Sequence, residues 1–208
     1  MLKILLSSFF ALSLVLSVQA QTAQEWLDRV SNTYNQASSY YINFEFQFNE
    51  GDEVQIGELF AVKEKFSLQV MDITQMYDGK FLYTISKDDK EVTILKPDEN
   101  SNDFLTPTKI LYTYKKNFTP TLDKTTIIDG VKVQQIKLTP NQPNEYDYIM
   151  IAIDVSTQTI KMYNEYLKSG ETRSIKVKEY LESLIIPRAL FKFDQSKYEK
   201  DGYIVTQL

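Results

Sequence analysis

The sequence predicts a mainly β fold with a minor α content, in which one long antiparallel meander is accompanied by two short helices. Apolar and polar residues alternate with a period of two in many segments, as at residues 42–48. Turn-forming pairs such as Asp78-Gly79 and Asp129-Gly130 separate these segments. Helical spacing of apolar residues is clear in only two places. Two helices must therefore cover one face of a long sheet.

Residues 1–20 have the features of a cleaved secretory signal. The single charge of Lys3 precedes an apolar stretch, and the small residue Ala20 ends the segment. The apolar stretch is too short for a membrane span, which needs about 20 residues. We therefore expect cleavage near Ala20 and export of a single domain at residues 21–208.

Composition excludes several classes of chemistry. The 208 residues contain no histidine and no cysteine, which excludes thiol nucleophiles, Ser-His-Asp triads and nitrogen- or sulfur-ligated metals. The net charge of −5 argues against a nucleic-acid partner. A hydrolase using Asp72, Asp78 or Asp147 remains an alternative, although Asp78 is better explained as a turn residue. We expect no enzyme activity, no catalytic residue, no metal and no cofactor.

The two helices have distinct start signals. Thr22 and Glu25 form a capping box before an apolar stripe that includes Leu27 and Val30. The second helix is predicted from Thr106-Pro107 to about residue 116, with Ile110 and Leu111 on its apolar side.

Eleven strands are predicted between the turn signals. They lie near residues 40–49, 54–63, 65–71, 74–77, 80–86, 90–95, 119–128, 131–139, 145–154, 158–167 and 172–181, and a further short aromatic strand is predicted at 189–193. Aromatic residues make up 13% of the chain. Because the helices are few, the sheet either closes on itself or leaves an apolar cavity under a thin lid.

Several segments match one known family in order and spacing. They are Leu27-Asp-Arg-Val30, residues 40–47, Gly57-Glu58-Leu59-Phe60, residues 78–83, Thr106-Pro107 and residues 186–193. Together they resemble the LolA family, periplasmic carriers that move lipoproteins from the inner to the outer membrane of Gram-negative bacteria. The resemblance implies a LolA/LolB-like incomplete antiparallel barrel of about 11 strands, with a few short lid helices over a hydrophobic cavity.

The resemblance also implies a function and partners. The protein would be a monomeric periplasmic carrier that shields acyl chains, with acylated lipoproteins as cargo and an inner-membrane lipoprotein-releasing ABC transporter as donor. The outer-membrane acceptor is not identified by the sequence. The alternatives are a lipid-binding, glycolipid-binding or lipoprotein-sensing protein of the same half-barrel fold, or a structural protein that displays an aromatic sheet.

The candidate site follows from the strand pattern and the resemblance. The predicted cavity residues are Phe44, Phe46, Phe60, Phe66, Leu68, Met76, Leu82, Tyr83, Ile94, Met150 and Met162, and the predicted lid residues are Leu27, Val30, Ile110 and Leu111. A register shift of one residue would place the predicted cavity residues of that strand on the opposite face of the sheet. Where the family carries an arginine that holds its lid closed, this chain reads Val62-Lys63-Glu64-Lys65, so the latch is either absent or made by Lys63.

Overall fold

The computed structural model describes residues 22–97, 111 and 114–208. Helix α1 (Ala23–Gln36) begins at the predicted capping box. The Thr22 hydroxyl accepts a hydrogen bond from the Glu25 amide at 3.2 Å, and the Glu25 carboxylate accepts one from the Thr22 amide at 3.0 Å. The signal segment, the Thr106-Pro107 helix start and Ile110 lie outside the described residues. Residues 111 and 114–117 are helical, in agreement with the end of the predicted second helix.

Twelve strands are present in the described residues, and they include all eleven predicted ones. They are β1 (Ser39–Gln47), β2 (Gln55–Val62), β3 (Lys65–Val70), β4 (Ile73–Tyr77), β5 (Leu82–Ser86), β6 (Glu91–Leu95), β7 (Phe118–Ile128), β8 (Val131–Pro140), β9 (Tyr146–Asp154), β10 (Ile160–Leu167), β11 (Thr172–Glu182) and β12 (Ile204–Gln207). Strand β12 was not predicted, because it is four residues long and forms only by parallel pairing with the distant β6.

The strands form one open sheet made of two antiparallel meanders. One meander runs from β1 to β6 and the other from β7 to β11, and they join where β1 pairs with β11. Strands β12 and β7 are the two edges, so the sheet does not close. The predicted mainly β, incomplete-barrel architecture is confirmed.

The predicted strand at 189–193 is wrong. Residues Arg188–Phe191 form a 3₁₀ turn after Pro187, and helix α2 (Gln195–Lys200) follows, with the Asp194 side chain accepting from the Lys197 amide at its start. The aromatic side chains in this segment are buried by lying on the sheet, which needs no strand pairing. No described helix has the length and apolar character needed to cross a membrane.

The apolar face of the sheet changes sides along the first meander. On the face that α1 covers, one row of paired residues reads Leu68, Gln75, Thr84 and Thr93, so this face becomes polar toward β6. The opposite face becomes apolar there, and the C-terminal segment covers it. This second cluster consists of Met76, Tyr83, Ile85, Val92 and Ile94 with Phe193, Tyr198, Tyr203 and Val205 packed against them.

A glycine makes room for an aromatic ring in the main core. The ring of Phe44 lies across Gly57 on the neighbouring strand, and a Cβ atom at residue 57 would stand 2.2 Å from the ring's Cζ atom. Gly57 is not at a positive φ, so its role is to leave space and not to relieve backbone strain.

We expect Gly57→Ala to destabilise the fold by about 1–3 kcal/mol, because it forces Phe44 out of its position in a packed core. Urea unfolding measures this change. In a Phe44→Leu background the same substitution should cost much less. An equal cost in both backgrounds would contradict the contact.

Candidate functional site

An apolar cavity of about 170 Å³ lies on the face of the sheet that α1 covers, and α1 contributes Tyr34 to its lining. It is lined by Tyr34, Ile42, Phe44, Phe46, Leu59, Leu68, Val70, Ile160, Tyr163, Ile175 and Val177. Among these side chains only the two tyrosines carry a polar atom. Such a lining can bury hydrocarbon.

The junction of the two meanders builds the cavity wall. In β1 every second residue from Tyr40 to Phe46 faces α1, and β11 brings Val177 opposite Phe44 and Ile175 opposite Phe46. A bulge at Lys178 breaks the register just beyond this pair. Bulges bend and twist a strand, so this one curves the sheet around the cavity.

The single tyrosine of α1, Tyr34, fixes the end of the helix beside the cavity. The Tyr34 hydroxyl accepts a hydrogen bond from the buried Ile160 amide at 3.1 Å, and its ring packs edge-on against Tyr40 and Tyr180. Burial raises the pKa of Tyr34 well above its ordinary value, so its hydroxyl stays protonated. This contact holds the end of α1 on β10.

An ion pair links the second helical segment to α1. Lys115 Nζ lies 2.6 Å from Asp28 Oδ1, and both side chains are about half exposed. The hydrogen bond from Lys115 holds the pKa of Asp28 below its ordinary value. Exposed ion pairs contribute little to stability, so this contact is weak.

A buried carboxylate links the same segment to the sheet. Glu165 is 6% exposed, its Oε1 accepts from the Tyr163 hydroxyl, and its Oε2 lies 3.2 Å from Arg173 Nη1. The ring of Tyr163 stacks on the ring of Tyr114 in the helical segment, with 6.0 Å between the ring centroids, and burial raises the pKa of both hydroxyls. Because Tyr163 also lines the cavity, this network attaches the helical cover to the cavity wall.

The structure brings together about half of the predicted site. Phe44, Phe46 and Leu68 line the cavity. Phe66 and Leu82 lie in the same hydrophobic core without lining the cavity, and the predicted lid residues Leu27, Val30 and Leu111 are buried in that core as well.

Six predicted cavity residues lie on the other face of the sheet. Met76, Tyr83 and Ile94 belong to the second cluster under the C-terminal segment. Phe60 packs against Tyr41, and Met150 and Met162 alternate with residues of the main core.

The pattern of apolar residues explains why these six residues were predicted on the cavity face. β2 and β9 contain consecutive apolar residues that do not identify a face, and a bulge at Lys161 reverses the phase of β10 before Met162. Lys63 is exposed in the turn between β2 and β3, and its role as a latch stays a prediction.

The sequence pattern identifies only part of the cavity lining. Ile175 and Val177 alternate with polar residues in β11, and this signal was available in the sequence. Tyr34, Ile160 and Tyr163 depend on how α1 crosses β10, which no local pattern encodes. The residues missed are Tyr34, Ile42, Leu59, Val70, Ile160, Tyr163, Ile175 and Val177.

Comparison with known proteins identifies the fold. No family model matches the chain, and no curated protein matches its sequence. An uncharacterized conserved protein from Thermus thermophilus has a similar structure, with a TM-score of 0.63 and 12% identity over 89% of this chain and 99% of that chain. LprF from Mycobacterium bovis matches with a TM-score of 0.50 and 13% identity, over 79% of this chain and 95% of that chain.

A LolA superfamily protein from Nitrosomonas europaea is a weaker structural match, with a TM-score of 0.42 and 13% identity over 85% of this chain and 100% of that chain. Likenesses at such low identity concern the fold alone. The twelve-stranded open sheet with few helices agrees with the incomplete-barrel fold predicted from the sequence.

We expect Glu165→Leu to destabilise the protein by about 1–3 kcal/mol, because the buried Tyr163 hydroxyl loses its acceptor. Hydrogen exchange at residues 114–117 should accelerate in this variant. The control is Glu171→Gln, a change at an exposed carboxylate in the neighbouring turn. Unchanged exchange at 114–117 in the Glu165 variant would show that the network does not hold the segment.

The ion pair between α1 and the second helical segment has a defined pH dependence. The pKa of Asp28 is lower in the folded than in the unfolded chain, so its stabilisation is present above pH 4 or so and is lost as the pH falls through the folded pKa. NMR titration of Asp28 should give a pKa below 3.8, the ordinary value. In Lys115→Gln the pKa should rise, and an unchanged value would rule out the ion pair in solution.

Proposed function

We propose that this protein is a non-enzymatic periplasmic carrier that shields the acyl chains of lipoproteins in its cavity and moves them between membranes. The observation that carries the proposal is the apolar cavity between α1 and the open sheet, at the junction of the two meanders. Hydrocarbon is the ligand class that such a lining selects, because each buried CH₂ contributes about 0.8 kcal/mol.

The size of the cavity indicates a closed state. A cavity of about 150 Å³ accommodates a ligand the size of benzene. The 170 Å³ present here therefore admits only one end of an acyl chain. Loading requires α1 and the helical segment around Tyr114 to move away from the sheet, which enlarges the space.

The contacts that hold the cover suit reversible loading. The ion pair between Lys115 and Asp28 is exposed and weak, and the network around Glu165 is buried but small. An incoming acyl chain can replace the packing that is lost when these contacts open. Because opening costs free energy, the net affinity stays modest and the cargo can be released.

The route of the cargo is part of the proposal. Residues 1–20 direct export to the periplasm, an inner-membrane lipoprotein-releasing ABC transporter supplies the lipoprotein, and an outer-membrane acceptor receives it. The resemblance of the sequence to the LolA family supports this route. The second candidate is a carrier or sensor of free lipid or glycolipid, which the small cavity also favours because one acyl chain suffices to fill it.

The test compares two substitutions to glutamate on opposite faces of the sheet. Phe46 is half-buried at the cavity and packs against the exposed Phe48, so a carboxylate at residue 46 can reach water while the fold persists. Met162→Glu places the same charge on the other face. We expect Phe46→Glu to abolish uptake of lipoproteins from an inner-membrane fraction, while Met162→Glu retains it.

Circular dichroism and urea unfolding establish that both variants are folded. Transfer at the wild-type level by folded Phe46→Glu would contradict the cavity as the binding site. The lipid-binding alternative would be favoured if the wild type took up free phospholipid but no acylated protein, and if Phe46→Glu abolished the uptake of phospholipid.

A further inference from the structure

A second concave site lies on the face of the sheet opposite the apolar cavity. Its volume is about 780 Å³, and the turn between β2 and β3 meets the 3₁₀ turn there. Four cationic side chains line it, Lys63, Lys65, Arg188 and Lys192, together with the carboxylates of Glu64 and Asp78.

The charge of this pocket is mainly positive. The ion pairs found in the described part of the chain use Lys115, Arg173, Lys176 and Lys178, and none involves the four pocket cations. The pocket therefore concentrates positive charge on a chain whose net charge is −5.

One of the two pocket carboxylates is already satisfied. Asp78 accepts hydrogen bonds from the Lys80 and Phe81 amides, each at 2.8 Å, and from the Tyr83 hydroxyl at 3.0 Å. Burial and the hydrogen bond to Asp78 raise the pKa of Tyr83 to about 12. Asp78 keeps its negative charge and also attracts Lys65. The four cations still outnumber the two carboxylates, so the pocket retains net positive charge for an external anion.

An exposed apolar loop adjoins the pocket. Ile185 is fully exposed and Leu184 is partly exposed, and the next residue, Ile186, lines the pocket. The loop is fixed at its base, because the Ser39 hydroxyl donates to the Leu184 carbonyl at 2.7 Å and the Ser183 amide donates to the Ser39 carbonyl at 2.9 Å. The backbone thus presents Ile185 to solvent at the edge of a cationic surface.

We propose that this pocket and the loop at Leu184 and Ile185 form a docking surface for membranes that contain anionic phospholipid. Lysine and arginine side chains bind headgroup phosphates, and an adjacent apolar side chain inserts at the level of the acyl boundary. An acidic protein surface would satisfy the cations but gives no reason for a fixed, fully exposed isoleucine. The two features together fit a lipid surface.

Flotation with phosphatidylcholine vesicles, with and without phosphatidylglycerol, tests the proposal. We expect the mature protein to bind only the vesicles with phosphatidylglycerol, and to bind them less as salt rises. Each cation removed should weaken binding by about fivefold. The test variant is Lys63→Gln, Lys65→Gln, Arg188→Gln and Lys192→Gln combined, and Ile185→Ser tests the apolar loop.

The matched control combines Lys87→Gln, Lys124→Gln, Lys132→Gln and Lys200→Gln, all exposed and outside the pocket, with the same change in net charge. The proposal requires the control to bind like the wild type, and both Ile185→Ser and the pocket variant to bind more weakly. The proposal would be overturned if the two quadruple variants lost vesicle binding equally, or if the wild type did not bind the vesicles. A separate assay measures uptake of an acyl probe by the pocket variant. It shows whether the apolar cavity still binds hydrocarbon, independently of vesicle binding.

Discussion

A sheet of twelve strands has an apolar face that must be kept from water, and this chain has little helix with which to cover it. Helix α1 has 14 residues, and the helical residues around Tyr114 add a short second cover. Bulky side chains fill most of the space beneath, to the extent that Phe44 requires a glycine opposite it. The volume that remains is the cavity. In this sense the candidate site is a consequence of how the sheet is covered.

The small amount of helix also explains why the C-terminal segment folds back across the sheet. Beyond β3 many apolar residues lie on the opposite face, away from α1 and the segment around Tyr114, although Leu82 stays in the main core. Residues after β11 fold back across that face and shield Met76 and Tyr83 with aromatic side chains. This return path also places Arg188 and Lys192 beside the lysines of the turn between β2 and β3. The two faces therefore acquire different chemistry, apolar under α1 and cationic beside the C-terminal turn.

Local signals predicted most of the fold. Alternation and turn pairs located eleven strands, and the capping box located the start of α1. The signals failed where structure depends on distant contacts. Strand β12 exists through its pairing with β6, and the segment at 189–193 gains burial from the sheet instead of from strand pairing.

The candidate site was predicted less completely than the fold. The period of two identifies a face only if one side of the strand is polar, which holds for Phe44 and Phe46 but not for Phe60 or Met150. At Met162 the pattern itself was misleading, because a bulge reverses the face within the strand. The contribution of Tyr34 depends on the crossing of α1 over β10. The network around Glu165 likewise joins segments that lie apart in the chain.

We propose that hydrocarbon of an acylated protein occupies the apolar cavity beside Tyr34. Native mass spectrometry of the protein, isolated from its host without detergent, tests this proposal directly. We expect a population that carries an acylated protein as a noncovalent adduct, and we expect this adduct to be lost when Val177→Glu places a charge in the cavity wall. A mass of the unliganded chain alone, both as isolated and after incubation with an inner-membrane fraction, would contradict it.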